Sequence, residues 1–184
     1  MIYTPREDSY LLKNEVKKLA KGKTFLDMGA GSGIQSKTAI AAGAKTILAA
    51  DINPEAIKHL KSQKIPAIKS NLFSDIKGKF DIIAFNAPYL PEDKDEPKDS
   101  SLATTGGKRG DEVIIEFFKK AKSHLADKGI ILLVLSSLTP KDKILKLLDK
   151  KSLAHKVLAS KPLFFETLEV WEITQQSEQV LTLK

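Results

Sequence analysis

Apolar residues recur along the chain in two alternating rhythms. Short apolar-rich runs lie at 24–27, 46–51, 80–86 and 130–135, each bounded by turn-forming or charged residues. Such runs predict strands buried on both faces. Between them apolar residues return every three or four positions, as Leu12, Val16 and Leu19 do, which predicts amphipathic helices. The spacing predicts helices over 8–20, 34–42, from Pro54 onward, 113–125 and 141–150. Gly22 and Gly43 close the first two; Asn53 caps the third, with Pro54 in its first turn. A short strand is expected at 67–71 and two final strands at 153–159 and 164–173. Strands alternating with helices predict one α/β domain over residues 1–184, a parallel sheet covered on both faces.

The rhythm breaks once. Residues 87–109 hold three of the eight Pro, two Gly and many Asp, Lys, Ser and Thr. A loop this long inside a compact domain is usually functional or disordered. This one follows a strand at the carboxyl edge, where open α/β sheets bind ligands, and is read as a substrate loop.

Composition narrows the chemistry. Apolar residues are 42% and charged residues 29% of 184, an ordinary globular balance. There is no Cys, and the three His (His59, His124, His155) lie far apart, so neither a thiolate nucleophile nor a metal centre is expected. No apolar run reaches the about 18 residues of a membrane span. The N-terminus carries Glu7 and Asp8 where a signal peptide has an apolar core, so a cytoplasmic protein is expected. The net charge is +7, yet only Arg6 and Arg109 among the 30 basic residues are Arg. Base and phosphate recognition leans on Arg and aromatics, so the scattered Lys read first as a solvated surface. Within 92–99 five acids (Glu92, Asp93, Asp95, Glu96, Asp99) outnumber Lys94 and Lys98, which disfavours bare nucleic acid.

Two motifs carry candidate chemistry. The loop Asp27-Met28-Gly29-Ala30-Gly31-Ser32-Gly33 joins a strand to a helix. It is no dinucleotide fingerprint, because Ile34 stands where the third glycine belongs, and no Gly-Lys-Ser/Thr follows. An acid beside it repels phosphate and suits an amino group; S-adenosylmethionine offers that group and carries no phosphate. Asp51, at the end of the second strand, can accept two ribose hydroxyls or merely cap a helix.

Asn86-Ala87-Pro88-Tyr89 follows the fourth strand. An amide or exocyclic amine nitrogen is a poor nucleophile because its lone pair is delocalised. Two fixed acceptors, the Asn86 side-chain carbonyl and the Ala87 backbone carbonyl, can hold its N–H groups and stabilise developing charge. Pro88 holds Ala87 extended, and Tyr89 can stack on a planar group.

With these motifs the chain resembles a class I S-adenosylmethionine-dependent methyltransferase of the HemK type, archaeal and eukaryotic branch. That branch methylates the glutamine of the Gly-Gly-Gln loop in a translation termination factor. The resemblance is carried by Tyr3-Thr4-Pro5-Arg6-Glu7-Asp8-Ser9-Tyr10-Leu11-Leu12, Asp51-Ile52-Asn53-Pro54, Gly106-Gly107-Lys108-Arg109-Gly110-Asp111-Glu112-Val113 and Phe165-Glu166-Thr167-Leu168-Glu169-Val170. It implies a Rossmann-like seven-stranded sheet in the order 3-2-1-4-5-7-6, the last strand antiparallel, with residues 1–22 capping the cofactor. It further implies that Pro5 and Ser9 line the cofactor, that Asp27, Gly29, Gly31 and Gly33 hold its methionyl part, and that Asp51 and Ile52 hold ribose and adenine. Asn71 and Leu72 would face the adenine amine, Asn86, Pro88 and Tyr89 would hold the acceptor, and Asn86 would also touch the cofactor. Two departures stand out: Ala87 replaces a Pro, and Asn71 replaces an Asp. A small zinc-binding activator protein is the implied partner, completing the edge strand at 67–71, with Ile65 and Ile68 as candidate contacts that read equally well as core residues. No role for Glu166 follows from the sequence. The alternatives are an amino-methyltransferase acting on adenine or guanine of RNA or DNA, and a non-catalytic nucleotide-binding module.

Overall fold

The computed structural model describes residues 2–92 and 105–176. Its elements, in chain order, are α1 (Glu7–Leu19), β1 (Thr24–Met28), α2 (Ile34–Ala41), β2 (Thr46–Asp51), α3 (Pro54–Ser62), β3 (Ala67–Lys69) and β4 (Phe80–Phe85). There follow α4 (Glu112–Ala121), a single 3-10 turn (Lys122–His124), β5 (Leu125–Ser136), α5 (Asp142–Lys150), β6 (Leu153–Pro162) and β7 (Thr167–Gln175). The seven strands form one sheet in the order β3-β2-β1-β4-β5-β7-β6. β7 runs antiparallel to both β5 and β6, and the other pairings are parallel. This is the class I methyltransferase sheet that the resemblance implies.

Alternation along the central strands sends side chains to two cores. Phe25, Ile82, Ala84 and Leu132 pack with Leu12 and Val16 of α1 and Ala39 of α2. Leu26, Ile83, Phe85 and Ile131 face the other way, onto Ile114, Phe117 and Phe118 of α4 and Ile144 and Leu148 of α5. Phe117 anchors that side, its ring 4.8 Å from Phe85 and 5.1 Å from Phe73. Because helices cover both faces, β1 and β4 are buried at nearly every residue.

Local chemistry sets the ends. Asn53 caps α3 by accepting from the Glu55 N–H at 2.9 Å, with Pro54 at the first position, as its sequence predicts. β3 stops at Lys69, short of the expected residue 71. There the Ser70 hydroxyl donates to the Leu72 carbonyl at 2.6 Å and accepts from the Asp75 N–H at 3.1 Å, turning the chain. β5 begins earlier than expected, at Leu125. It runs on through a register shift opposite Phe80 and Ile82, so Asp127-Lys128-Gly129, outside the expected 130–135, is strand. Ile65 packs against Leu60 and Ala49 in the core, the place its sequence allowed as readily as a partner contact; Ile68 is half-buried against the α4 side.

Among the described residues no helix is long and apolar enough to cross a membrane. The carboxyl ends of β1, β2 and β4, together with the first turn of α1, enclose a cavity of about 1300 Å³. Gly33, one residue before α2, has φ +75°, and a Cβ there would come within 2.5 Å of Leu60 Cδ2. Its glycine is needed for the turn and for the contact with α3. Gly33→Ala should therefore lower stability by about 1–3 kcal/mol, read as a reduced urea midpoint; an unchanged midpoint would contradict this packing.

Candidate active site

The glycine loop is held by two carboxylates with different surroundings. Asp27 is buried, and its Oδ2 accepts from Ser36 N at 2.8 Å and Ser36 Oγ at 2.6 Å, tying β1 to the first turn of α2. Burial pushes its carboxyl up to about 7; the Ser36 bonds pull it back, and Asp51 pushes it further up. Asp51 uses both oxygens on backbone: Oδ2 accepts from Gly31 N and Oδ1 from Asn53 N, each at 2.8 Å. The loop N–H most suited to a phosphate is thus already committed to an acid.

At the tip of β4, Asn86 donates from Nδ2 to Asp8 Oδ2 at 3.0 Å and to Ser9 Oγ at 3.3 Å. Its Oδ1 is buried and has no hydrogen-bond partner among the described residues. Buried acceptors are nearly always paired in folded proteins, so this carbonyl oxygen is exceptional, and the Asn86 residue itself lines the cavity. Ala87 is buried beside it. Burial and the nearby acids Asp8 and Glu166 push the Tyr89 hydroxyl far above its usual range, so it stays neutral. Tyr3 is raised in the same way by burial and Asp8.

The second half of the long loop fixes the first. Leu90 and Thr105 form a parallel bridge, Gly106 N donates to Leu90 O at 2.9 Å, and Glu92 N donates to Gly107 O at 2.9 Å. A Cβ at Gly106 would sit 2.6 Å from the Pro88 carbonyl oxygen and 2.3 Å from that of Gly110. The glycine segment therefore lies backbone to backbone against Asn86-Ala87-Pro88-Tyr89, a closeness that only glycine permits. Glu112 closes the turn by accepting from Arg109 N and Gly110 N, both at 3.1 Å. Arg109 is spent on structure, paired with Asp111 at 3.2 Å and Asp142 at 3.0 Å. Of the acidic stretch expected at 92–99, only Glu92 lies within the described residues, and it lines the cavity.

The cavity gathers Ser9, Asp27, Gly29 and Gly31 from the N-terminal half, and Asp51, Ile52, Asn71 and Leu72 beyond β2 and β3. Asn86, Pro88 and Tyr89 complete its wall. Pro5 and Gly33 do not line it; Gly33 acts through packing. Four cavity residues carry chemistry that the sequence reading did not assign: Tyr3, Asp8, Gln35 and Glu166. Gln35 Nε2 donates to Ser9 O at 2.9 Å, and its Oε1 is the other buried atom without a partner among the described residues. The Ser136 hydroxyl donates to Glu166. Asp8 sits inside a recognisable motif, yet a helix-start acid alone carries no sign of which side chain it meets.

Residues 7–164 match the family model described as the methyltransferase small domain. The chain belongs to that family. A Methanocaldococcus jannaschii protein named as a protein N5-glutamine methyltransferase is 38% identical over 178 residues, covering 92% of this chain and 89% of the relative. Mouse methyltransferase HEMK2 is 30% identical, covering 83% of this chain and 79% of its own. A chain of the E. cuniculi Mtq2–Trm112 complex, described as responsible for methylation of the eRF1 translation termination factor, superposes with a TM-score of 0.77. It shares 22% identity and covers 95% of this chain and 99% of its own. That last likeness shows the shared fold.

Asp27 gives a pH prediction with a definite sign. A carboxyl raised from 3.8 to about 7 in the native state stabilises the fold fully below the lower value. It loses that contribution as pH rises through the upper one. An amide at this position can still accept both Ser36 bonds without the charge. Asp27→Asn should therefore be more stable than wild type in urea by about 2–4 kcal/mol at pH near 8. The gap should narrow steadily toward about pH 4; a gap independent of pH would contradict the buried carboxyl.

Proposed function

We propose that this methyltransferase transfers a methyl group from S-adenosylmethionine to the side-chain amide nitrogen of a glutamine, in the Gly-Gly-Gln loop of a translation termination factor. The observation that carries the reading is the buried, unpartnered Oδ1 of Asn86. The cofactor fits the residues present. Asp27 suits an ammonium, Asp51 suits ribose hydroxyls, and the Gly31 N–H is already given to Asp51, which disfavours a pyrophosphate. Exposed Ile52 and the Asn71-Leu72 turn offer an apolar edge and a polar one for adenine.

When bound, the cofactor supplies an electrophilic methyl on sulfonium sulfur, open to in-line displacement. The chain's own work is positioning. Asn86 Oδ1 and the Ala87 carbonyl accept the two N–H groups of the substrate amide and direct the nitrogen lone pair. Both oxygens would stabilise positive charge on that nitrogen as it gains the methyl and the sulfonium leaves as a neutral thioether, and the surplus proton would pass to solvent. Pro88 restricts Ala87, and neutral Tyr89 flanks the planar amide without adding charge. Burial of the pair excludes the water that would compete for the same N–H groups.

A protein acceptor is favoured over RNA or DNA. Arg109 is held by Asp111 and Asp142. Phe164 and Phe165 stand 92% and 84% exposed on the turn between β6 and β7, next to Leu163 and Glu166 of the cavity wall. Exposed aromatics beside a site are common in protein recognition. The relatives named for glutamine methylation support the same choice. The short edge strand β3 is free to accept another chain's strand. The reading includes a small zinc-binding activator protein there, in keeping with the two-protein complex of the structural relative, and a cytoplasmic site of action.

The test is labelled-methyl transfer to the termination factor and to free RNA, side by side, with and without the activator. Label should enter the protein glutamine; label in RNA alone would overturn the substrate reading. Full activity of the isolated, monodisperse chain would overturn the need for a partner. Asn86→Ala should lower kcat by about 10²–10³-fold with S-adenosylhomocysteine affinity unchanged by calorimetry. Undiminished methylation would remove Asn86 from the mechanism.

A further inference from the structure

We propose that the first turn of α1 is a positioning device for the acceptor site. Asp8, supported by Tyr3 and Ser9, fixes the Asn86 amide so that its carbonyl, and not its NH2, meets the substrate nitrogen. The inference rests on the reading of Asn86 as the receiver of the substrate amide.

The two ends of an amide side chain have nearly the same shape and opposite polarity. Presented the wrong way round, Asn86 would offer a donor to a nitrogen that needs an acceptor. Asp8 removes the choice. Its Oδ2 lies 3.0 Å from Asn86 Nδ2 and also accepts the Tyr3 hydroxyl at 3.0 Å. Its Oδ1 accepts from Ser9 N at 2.6 Å and Ser9 Oγ at 3.2 Å. A carboxylate offers acceptors only, so Asn86 must turn Nδ2 toward it. Ser9 Oγ gives its proton to Asp8 and therefore also faces Nδ2, at 3.3 Å, as an acceptor. Asp8 and Ser9 are both buried, so water cannot substitute for either.

The arrangement also acts on charge. A carboxylate behind Nδ2 polarises the amide and moves electron density onto Oδ1, the atom that faces the positive charge developing on the substrate nitrogen. The same turn orders a second amide: Ser9 O receives Gln35 Nε2 at 2.9 Å and leaves Oε1 buried and unpartnered. One turn of helix thus orients both orphan carbonyls of the cavity.

The test is an exchange of the two side chains, assayed for methyl transfer to the protein acceptor beside S-adenosylhomocysteine calorimetry. Asp8→Asn keeps the size but can place an NH2 opposite Nδ2, so Asn86 flips and presents its donor. We expect kcat to fall about 10²-fold or more, with S-adenosylhomocysteine affinity unchanged. Asn86→Asp alone sets two carboxylates face to face and should also lose activity. The double variant Asp8→Asn with Asn86→Asp restores a donor–acceptor pair and leaves one carboxyl oxygen free. It should recover kcat at least about tenfold over either single variant, a coupling that independent roles do not produce. Wild-type kcat in Asp8→Asn, or losses that simply add in the double variant, would overturn the proposal. If Asp8→Asn does not fold, hydrogen exchange of the 15N-labelled wild type decides. The Asn86 Nδ2 protons should exchange slowly, and fast exchange would overturn the proposal. Asn86→Ala runs in parallel: retained methylation there would overturn the functional reading itself.

Discussion

The structure depends on one buried carbonyl oxygen being kept without a partner. An unsatisfied buried acceptor costs about 1–3 kcal/mol, so the fold must hold Asn86 against the tendency to turn and pair. It does so from both sides. Asp8 and Ser9 engage the Nδ2 end across 78 and 77 residues of sequence. The glycine segment 106–110 braces the following backbone through Gly106 N and the Pro88 and Tyr89 carbonyls. On the proposed reading the destabilisation is local and would be relieved by the N–H donor of the substrate.

A second local conflict lies at the other end of the cavity. Asp27 is buried where its charged form is disfavoured, and only the Ser36 bonds oppose that burial. An incoming ammonium would offset the same charge. Acceptor orphaned at one end and carboxylate desolvated at the other, the cavity is complementary to a ligand with positive charge and N–H groups. The two cores beneath it are apolar and well packed, which lets the fold tolerate both conflicts.

Much of this was legible in the sequence because it rests on local signals. The apolar runs gave β1, β2 and β4; Asn53-Pro54 gave the start of α3; the glycine loop and Asn86-Ala87-Pro88-Tyr89 are two segments that line the cavity. The sheet order came from likeness rather than periodicity, since no strand encodes its neighbour. What was not legible depends on contacts across the chain. Asp8 reads as a helix-start acid until Asn86 is brought beside it. Gly106 reads as part of a motif, with nothing to show that its backbone meets the Pro88 carbonyl. Ile65 reads equally as an edge contact or as core until Leu60 and Ala49 cover it. Glu166 gains a place only where the β6–β7 turn brings it to Ser136.

The most direct measurement is a crystal structure with S-adenosylhomocysteine and a peptide carrying the Gly-Gly-Gln sequence. The account predicts the glutamine Nε2 at about 3 Å from both Asn86 Oδ1 and the Ala87 carbonyl oxygen, with Asn86 Nδ2 still on Asp8. A glutamine bound elsewhere, or an Asn86 amide turned to place Nδ2 against it, would contradict the account.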